Sequence, residues 1–165
     1  MATQGKGSKA KGSNFERDIS KTLTKWWTGL GFKGEFYRTP TSGGLRWKAR
    51  EDTVGDLCAP EDFAFTIECK CREDWDFKDI FNWTPDGLIA KWWKQSCDEA
   101  LRANKMPLLV IKKNYVQPIV FIRANDVYYY NFRRIAWLNY ANTINIYIIP
   151  LEDFLRNAPS ALVKR

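Results

Sequence analysis

The sequence predicts an α/β domain in which a central mixed β-sheet is flanked by helices. Near the start of the chain, apolar residues recur at helical spacing from Ser13 to Leu30. From Phe63 to Cys71, apolar and polar residues alternate as they do in a half-buried strand. A second helical pattern then precedes two continuous apolar runs, which are typical of strands covered on both faces. This order of helices and strands favours one sheet with helices packed on it.

The first helix is predicted over residues 13–30. Ser13 and Glu16 have the spacing of a capping box, and Gly29 and Gly31 mark the end of the pattern. The apolar residues expected on its inward face are Phe15, Ile19, Leu23, Trp26 and Leu30.

Residues 1–12 are rich in Gly, Ser and Ala and carry Lys6, Lys9 and Lys11. Such a segment cannot bury apolar surface, so we expect a flexible basic arm ahead of a single domain over residues 13–165. The arm either settles on phosphate groups or remains a solvated tail without a role.

The later elements follow from periodicity and from turn residues. Strands are predicted over residues 34–38, 54–59, 63–71, 108–111, 118–122 and 144–149, and a short helix over 151–156. Another helix is predicted to run to Asn104 with Thr84 as its N-cap and Pro85 as its first residue, and with Leu88, Trp92, Trp93, Ala100 and Leu101 facing inward. Residues 39–44 read as a loop, residues 72–82 as irregular, and residues 127–140 carry no clear pattern.

Charge and composition restrict the function. The formal net charge of +7 favours a polyanionic partner, and nucleic acid fits better than a membrane surface because no basic amphipathic helix is evident. The chain contains no histidine, which excludes Ser-His-Asp triads, His-ligated zinc hydrolases and nucleases with a histidine base. Any hydrolysis must depend on carboxylates, Lys, Tyr, Ser or metal-bound water.

The four cysteines, Cys58, Cys69, Cys71 and Cys97, form no C-x-x-C pair, which argues against a structural zinc site. We expect all four to be reduced thiols in a cytoplasmic, nucleoid-associated protein. The sequence shows neither a signal peptide nor a membrane-spanning apolar run.

The residues with the clearest catalytic potential are two carboxylates and one lysine. On a strand over residues 63–71, Glu68 and Lys70 point to one face, while Ile67 and Cys69 point to the other. If Asp56 lies on the neighbouring strand, the two carboxylates can bind Mg²⁺ or Mn²⁺, with the Cys69 backbone carbonyl as a third ligand. Lys70 can then orient a water or offset charge on a phosphate.

Each of these residues also has an ordinary interpretation. Glu68 and Lys70 at i and i+2 on a strand often form a solvated face, and Asp56 can cap a turn after Gly55. The acids Glu51, Asp52, Glu61 and Asp62 are alternatives to Asp56, although they fall in predicted loops.

Further candidates lie outside this group. Glu16 is either a helix cap or an outer metal ligand that acts through water, and Ser42 is either a turn residue or a phosphate-binding hydroxyl. Without histidine, Ser42 is a poor nucleophile. The candidate phosphate contacts, although such residues are often simply solvated, are Arg17, Arg38, Lys112 and Lys113.

Taken together, these motifs resemble the archaeal-type Holliday junction resolvases, a branch of the PD-(D/E)XK nuclease superfamily. The similarity covers about the first two thirds of the chain. The segments that carry it are Gly12 to Ile19, Gly31-Phe32, Arg38 to Gly43, Gly55-Asp56-Leu57, Ile67 to Lys70 and Pro107 to Lys112. The resemblance implies a restriction-endonuclease-like core and metal-dependent cleavage of four-way DNA junctions by a homodimer.

The resemblance also implies roles for single residues. Asp56 and Glu68 would ligate the metal, and Lys70 would be the catalytic lysine. Glu16 matches an acidic residue of the first helix, and Ser42 matches a loop serine near the scissile phosphate. The basic DNA-contacting positions of the family are matched by Arg17, Arg38 and Lys112.

The chain departs from this family at three places. Gly55 stands where the superfamily name has proline, the segment 72–84 is longer than usual, and residues 125–165 have no clear match. The aromatic residues of that last segment would suit a dimer interface. Two alternatives remain: a related nuclease acting on ordinary duplex or single-stranded DNA, and a non-catalytic DNA-binding module.

Overall fold

The computed structural model describes residues 4–39, 54–127, 136–140 and 144–157 of the chain, with side chains described from residue 10 onward except at residues 140, 144 and 157. The helices are α1 (Gln4–Gly29), α2 (Phe77–Phe81), α3 (Leu88–Arg102) and α4 (Leu151–Asn157), with a 3₁₀ turn at Ala124–Asp126. The strands are β1 (Tyr37–Arg38), β2 (Leu57–Cys58), β3 (Phe65–Cys71), β4 (Met106–Lys112), β5 (Ile119–Arg123), β6 (Ala136–Tyr140) and β7 (Ile144–Pro150).

The described strands form one mixed sheet in the order β1-β2-β3-β4-β5-β7-β6. Strands β3 and β4 pair in parallel from Phe65↔Met106 to Cys71↔Lys112, and α3 lies in the crossover between them. The other pairings are antiparallel. This architecture confirms the predicted α/β class and is that of a restriction-endonuclease-like core.

Helices cover both faces of the sheet. The apolar stripe of α1 packs with α4 on one face, against a cluster that includes Phe65, Ile67 and Cys69 of β3. On the other face, α2 and α3 supply Ile80, Trp92 and Trp93. The central strand β4 divides its side chains between the two clusters, as expected for a continuous apolar run buried on both faces.

Helix α1 starts at Gln4 instead of at the predicted Ser13. Residues 4–12 are therefore helical where composition predicted a flexible arm, and the predicted capping box of Ser13 with Glu16 lies inside the helix and does not cap it. Once its buried stripe holds a helix together, the helix extends into preceding residues at low cost, because each added residue gains a hydrogen bond. The division between residues 1–12 and a domain over 13–165 stays a prediction.

The buried stripe of α1 follows a spacing of four residues. Phe15, Ile19 and Leu23 are buried as predicted, and the next member is Trp27, which is fully buried. Trp26 is half-buried at the margin and donates its indole N–H to the Leu155 carbonyl at 2.8 Å. The inward assignment of Leu30 is wrong, since the helix ends at Gly29 and Leu30 is exposed.

Helix α3 also begins at a different residue from the predicted one. Its N-cap is Gly87, because Thr84 to Gly87 form a turn closed by the Gly87 N–H and the Thr84 carbonyl at 3.0 Å. Proline at the second position of such a turn has the same fixed φ that it would have at a helix start, so the sequence signal was ambiguous. Leu101, predicted to face inward, is 81% exposed.

Several smaller predictions also need correction. Residues 72–82, expected to be irregular, contain α2, which begins with a reciprocal capping box between Asp76 and Asp79. The strands predicted over 34–38 and 54–59 are two residues long each. Among the described residues, no helix combines the length and the apolar character needed to cross a lipid bilayer.

Candidate active site

Strand β3 places Glu68 and Lys70 on the same side of the sheet, as the alternation predicted. Ile67 and Cys69 pack into the α1 cluster, so Glu68 points toward α3. The Lys70 ammonium donates to Glu68 Oε1. The Glu68 side chain is only 2% exposed, which makes it a buried carboxylate with an ammonium partner.

Asp56 is held against β3 by its backbone and by its side chain. Its N–H donates to the Ile67 carbonyl at 2.9 Å, and its Oδ2 accepts from the Cys69 N–H at 2.9 Å. Strand β2 pairs with β3 at Leu57↔Ile67, so the Cys69 N–H beyond this pair is left for a carboxylate. The side chain of Asp56 therefore lies at the edge of β3, beside Glu68 and Lys70.

Gly55 makes this close approach possible. Its φ of +91° is in the region that favours glycine, and a Cβ at this position would lie 2.7 Å from the Ile67 carbonyl oxygen. Proline, whose φ is restricted to about −65°, could not adopt this conformation. The departure from the proline of the superfamily name thus has a local backbone reason.

Glu16 reaches the site from α1. Its Oε2 accepts a hydrogen bond from the Arg38 guanidinium on β1, and its charge acts on the Asp56 carboxyl. The interpretation of Glu16 as a helix cap is excluded by its place inside α1. Its role as an outer ligand through water stays a prediction.

The carboxyl groups are shifted toward protonation. Burial raises the pKa of Glu68 to about 8, and the neighbouring charge of Asp56 adds to the effect. Burial likewise raises the pKa of Asp56, against the Cys69 N–H and Lys70, which lower it. Burial alone would lower the pKa of Lys70, but the hydrogen bond and the charge of Glu68 outweigh it and raise the pKa. Lys70 is therefore cationic at neutral pH.

Helix α3 adds two residues that the sequence analysis missed. Gln95 Nε2 donates to Glu68 Oε1 at 2.8 Å and to Glu99 Oε1 at 3.1 Å. The spacing of Gln95 and Glu99, four residues on a predicted helix, places them on one face. That spacing was a readable signal, but nothing local in the sequence indicates that this face meets Glu68.

Comparison with known proteins identifies the family. A family model described as "Phage putative PDDEXK endonuclease" matches residues 7–163. The chain belongs to this family. No curated protein and no solved structure gives a significant match. The match supports the PD-(D/E)XK superfamily and a nuclease function, but it lends no support to the archaeal-type resolvase branch in particular.

Nucleases of this superfamily generally use divalent metal ions, and the donor set here fits a hard cation. Asp56 and Glu68 offer carboxylate oxygens, whereas the Cys69 thiol is buried on the opposite face. Within the described part of the chain, no three side chains of His, Cys, Asp or Glu are grouped to hold a metal ion. Two carboxylates suffice for Mg²⁺ when water and substrate phosphate complete its coordination.

The predicted DNA-contacting residues have the following positions. Arg17 is exposed and donates to Asn14 Oδ1 at 3.1 Å, while Arg38 binds Glu16. The Lys112 ammonium lies 5.9 Å from the centre of the Phe15 ring. Lys11 forms an ion pair with Glu73. Ser42 and the side chains of Lys6 and Lys9 lie outside the described residues.

Proposed function

We propose that this protein is a metal-dependent DNA endonuclease that nicks four-way junctions as a homodimer. One observation carries the catalytic part: Asp56, Glu68 and Lys70 come together at the edge of β3. The net charge of +7 supports a polyanionic substrate. The resemblance of the Asp56 and Glu68 segments to junction resolvases supports the choice of a branched substrate.

The chain supplies the parts that phosphodiester hydrolysis needs. A divalent cation held by Asp56 and Glu68 would supply polarisation of the scissile phosphate and a more acidic bound water. The Cys69 N–H fixes Asp56, so this ligand is already oriented before substrate arrives. Lys70, being cationic, acts as an electrostatic partner for the developing charge on phosphate oxygens and not as a base.

A dimer would explain paired cleavage of a junction. Two sites related by a two-fold axis can nick two opposed strands symmetrically. Selectivity would then come from the shape of the junction and from phosphate contacts, for which Arg17, Arg38 and Lys112 are the candidates. Trp137 lies on β6, the strand at one edge of the described sheet, and is 58% exposed. It supplies the kind of aromatic surface that a dimer buries.

The first experiment removes one metal ligand at a time. Asp56→Asn and Glu68→Gln should each lower the nicking rate of a labelled four-way junction in Mg²⁺ or Mn²⁺ by at least about 100-fold, because each loses a charged ligand. Junction binding, measured by gel shift in Ca²⁺ or EDTA, should persist. Asp98→Asn is the matched control, since Asp98 is an exposed acid of α3. Full activity in either site variant would refute the catalytic assignment.

The second experiment compares substrates. The wild-type protein should nick the four-way junction faster than a linear duplex of the same sequence, and in symmetric pairs. Equal rates on both substrates would favour a nuclease of ordinary duplex DNA. Junctions that stay intact under Mg²⁺ and Mn²⁺, with DNA binding retained, would favour a non-catalytic DNA-binding module.

A further inference from the structure

Helix α3 makes a polar contact with the catalytic side of β3 through a single amide group. Gln95 Nε2 is shared between Glu68 Oε1, at 2.8 Å, and Glu99 Oε1, at 3.1 Å. The orientation of the amide is determined by its partners, because Glu68 Oε1 and Glu99 Oε1 both act as acceptors and the NH₂ end must face both. Gln95 is otherwise exposed, so nothing but these two carboxylates engages its end group among the described contacts.

The amide and Lys70 donate to the same oxygen of Glu68. The final torsion of a glutamate side chain has no sharp preference, so the plane of its carboxylate is set by its donors. Because both donors bind Oε1, neither of them occupies the other oxygen, Oε2, which is the oxygen that we expect a cation to take. A neutral amide can do this without the competing positive charge that a second lysine would bring.

Glu99 is in turn arranged to hold the amide. It lies one helical turn after Gln95, and its side chain is 14% exposed. Its second oxygen, Oε2, is buried without a hydrogen-bond partner among the described residues. A buried carboxylate oxygen without a partner is costly, so the position of Glu99 beside Glu68, whose pKa it helps to raise, calls for a reason other than stability.

We propose that Gln95 is a positioning residue for the metal site, anchored by Glu99, which orients the Glu68 carboxylate toward the cation. This inference rests on the proposed function. Glu99 acts through Gln95 and not as a ligand, since within the described chain no three acidic side chains are grouped around one metal position. The helix α3 thereby becomes part of the active site that β2 and β3 build.

The test is direct Mn²⁺ binding, followed by the electron paramagnetic resonance signal of free Mn²⁺. Gln95→Met keeps the length of the side chain and removes the donor, and it should weaken Mn²⁺ binding about tenfold, as loss of a hydrogen bond to a metal ligand does. In nicking assays, the loss should appear mainly in the Mn²⁺ concentration needed for half-maximal rate. Lys94→Met is the matched control, because Lys94 pairs with Asp98 at the same spacing on the solvent side of α3.

Two variants test the anchor. Glu99→Ala removes the acceptor and should weaken Mn²⁺ binding, whereas Glu99→Gln retains an acceptor oxygen and should restore it. Circular dichroism and thermal melting of the metal-free variants verify that they are folded. Gln95→Met binding Mn²⁺ as tightly as the wild type would overturn the proposal, and so would equal binding by Glu99→Ala.

A different result of the same Mn²⁺ assay would refute the proposed function itself. If Asp56→Asn binds Mn²⁺ as tightly as the wild type, the metal site is not where we place it, whatever Gln95 does. Weakened binding in Asp56→Asn with unchanged binding in Gln95→Met leaves the nuclease site intact and removes only the role of α3.

Discussion

At the scale of the residue, Glu68 is an acid placed where its charge is disfavoured. It is buried in the sheet, its pKa is raised to about 8 by burial and by Asp56, and it shares its Oε1 between Lys70 and Gln95. Ionised carboxylates in such proximity repel each other, and binding a divalent cation would relieve this repulsion. In the metal-free protein, the state in which Asp56 and Glu68 are both ionised is therefore disfavoured. This is the state that would bind a metal ion.

This arrangement predicts how stability depends on pH. The ordinary pKa of a glutamate is near 4.5, and in the folded chain that of Glu68 is about 8, so the native state holds an extra proton between these values. The free energy of unfolding in EDTA should therefore fall as pH rises from about 5 to 8. The chain has no histidine to titrate within this window, and Asp56, whose pKa burial also raises, contributes a slope of the same sign.

Chemical denaturation at several pH values provides the measurement. Glu68→Gln should flatten the curve, since it removes the titrating group, and Asp98→Asn should leave the slope as it is. Saturating Mn²⁺ should also reduce the slope in the wild type. A wild-type stability that rises between pH 5.5 and 8 in EDTA would contradict the buried, proton-binding state of Glu68.

At the scale of the element, the site depends on how closely β2 approaches β3. The two strands share one residue pair, and Gly55 and Asp56 come just before it, where Asp56 bonds to β3 through its backbone and its side chain. A longer β2 would use the Cys69 N–H in the ladder and leave no donor for Asp56. The shortness of this strand is thus a requirement of the site.

Gly55→Ala should test this approach. The substitution adds a Cβ 2.7 Å from the Ile67 carbonyl oxygen at a φ of +91°, and it should destabilise the protein by about 1–3 kcal/mol while lowering nicking activity. Gly31→Ala is the matched control, because Gly31 has a φ of +87° but open space around it. Gly31→Ala should therefore cost only the strain of a side chain at positive φ, and it should leave nicking unchanged. Equal effects of the two substitutions on both measurements would show that the contact with β3 does not matter.

At the scale of the whole molecule, a sheet covered by helices on both faces presents its chemistry where β2 and β3 meet. Glu16 approaches from α1 on one face and Gln95 from α3 on the other, while Asp56, just before β2, and Glu68 of β3 lie between them. The net charge of +7 gives the protein as a whole a field that attracts polyanions. Binding of DNA should consequently be dominated by phosphate contacts.

The salt dependence of binding should reflect this. With Glu68→Gln used to prevent cleavage, log K for junction DNA should fall linearly with log salt concentration, with a slope near −0.9 for each phosphate contact. Lys112→Ala should make the slope shallower by about one unit if Lys112 binds a phosphate. A slope unchanged by this substitution would remove Lys112 from the DNA surface, and binding insensitive to salt would contradict the phosphate-based account.

The sequence by itself determined the elements with strong periodicity and the residues of β3. The side-chain period of a strand is local, so Glu68 and Lys70 could be placed on one face without knowing their neighbours, and the Gly-Asp dipeptide indicated Asp56. The same local logic identified most of the buried stripe of α1. It was wrong where signals were ambiguous, as at Thr84-Pro85, which form a turn and not a helix start.

Only the tertiary structure decided which helix face meets the site. Gln95 and Glu68 are far apart in sequence, and their contact exists because β3 and β4 pair in parallel with α3 crossing between them. Likewise, the pairing of Glu16 with Arg38 and the raised pKa of Glu68 depend on packing between distant segments. Periodicity determines which way a side chain points within its element, but burial and partnership depend on the elements that pack against it.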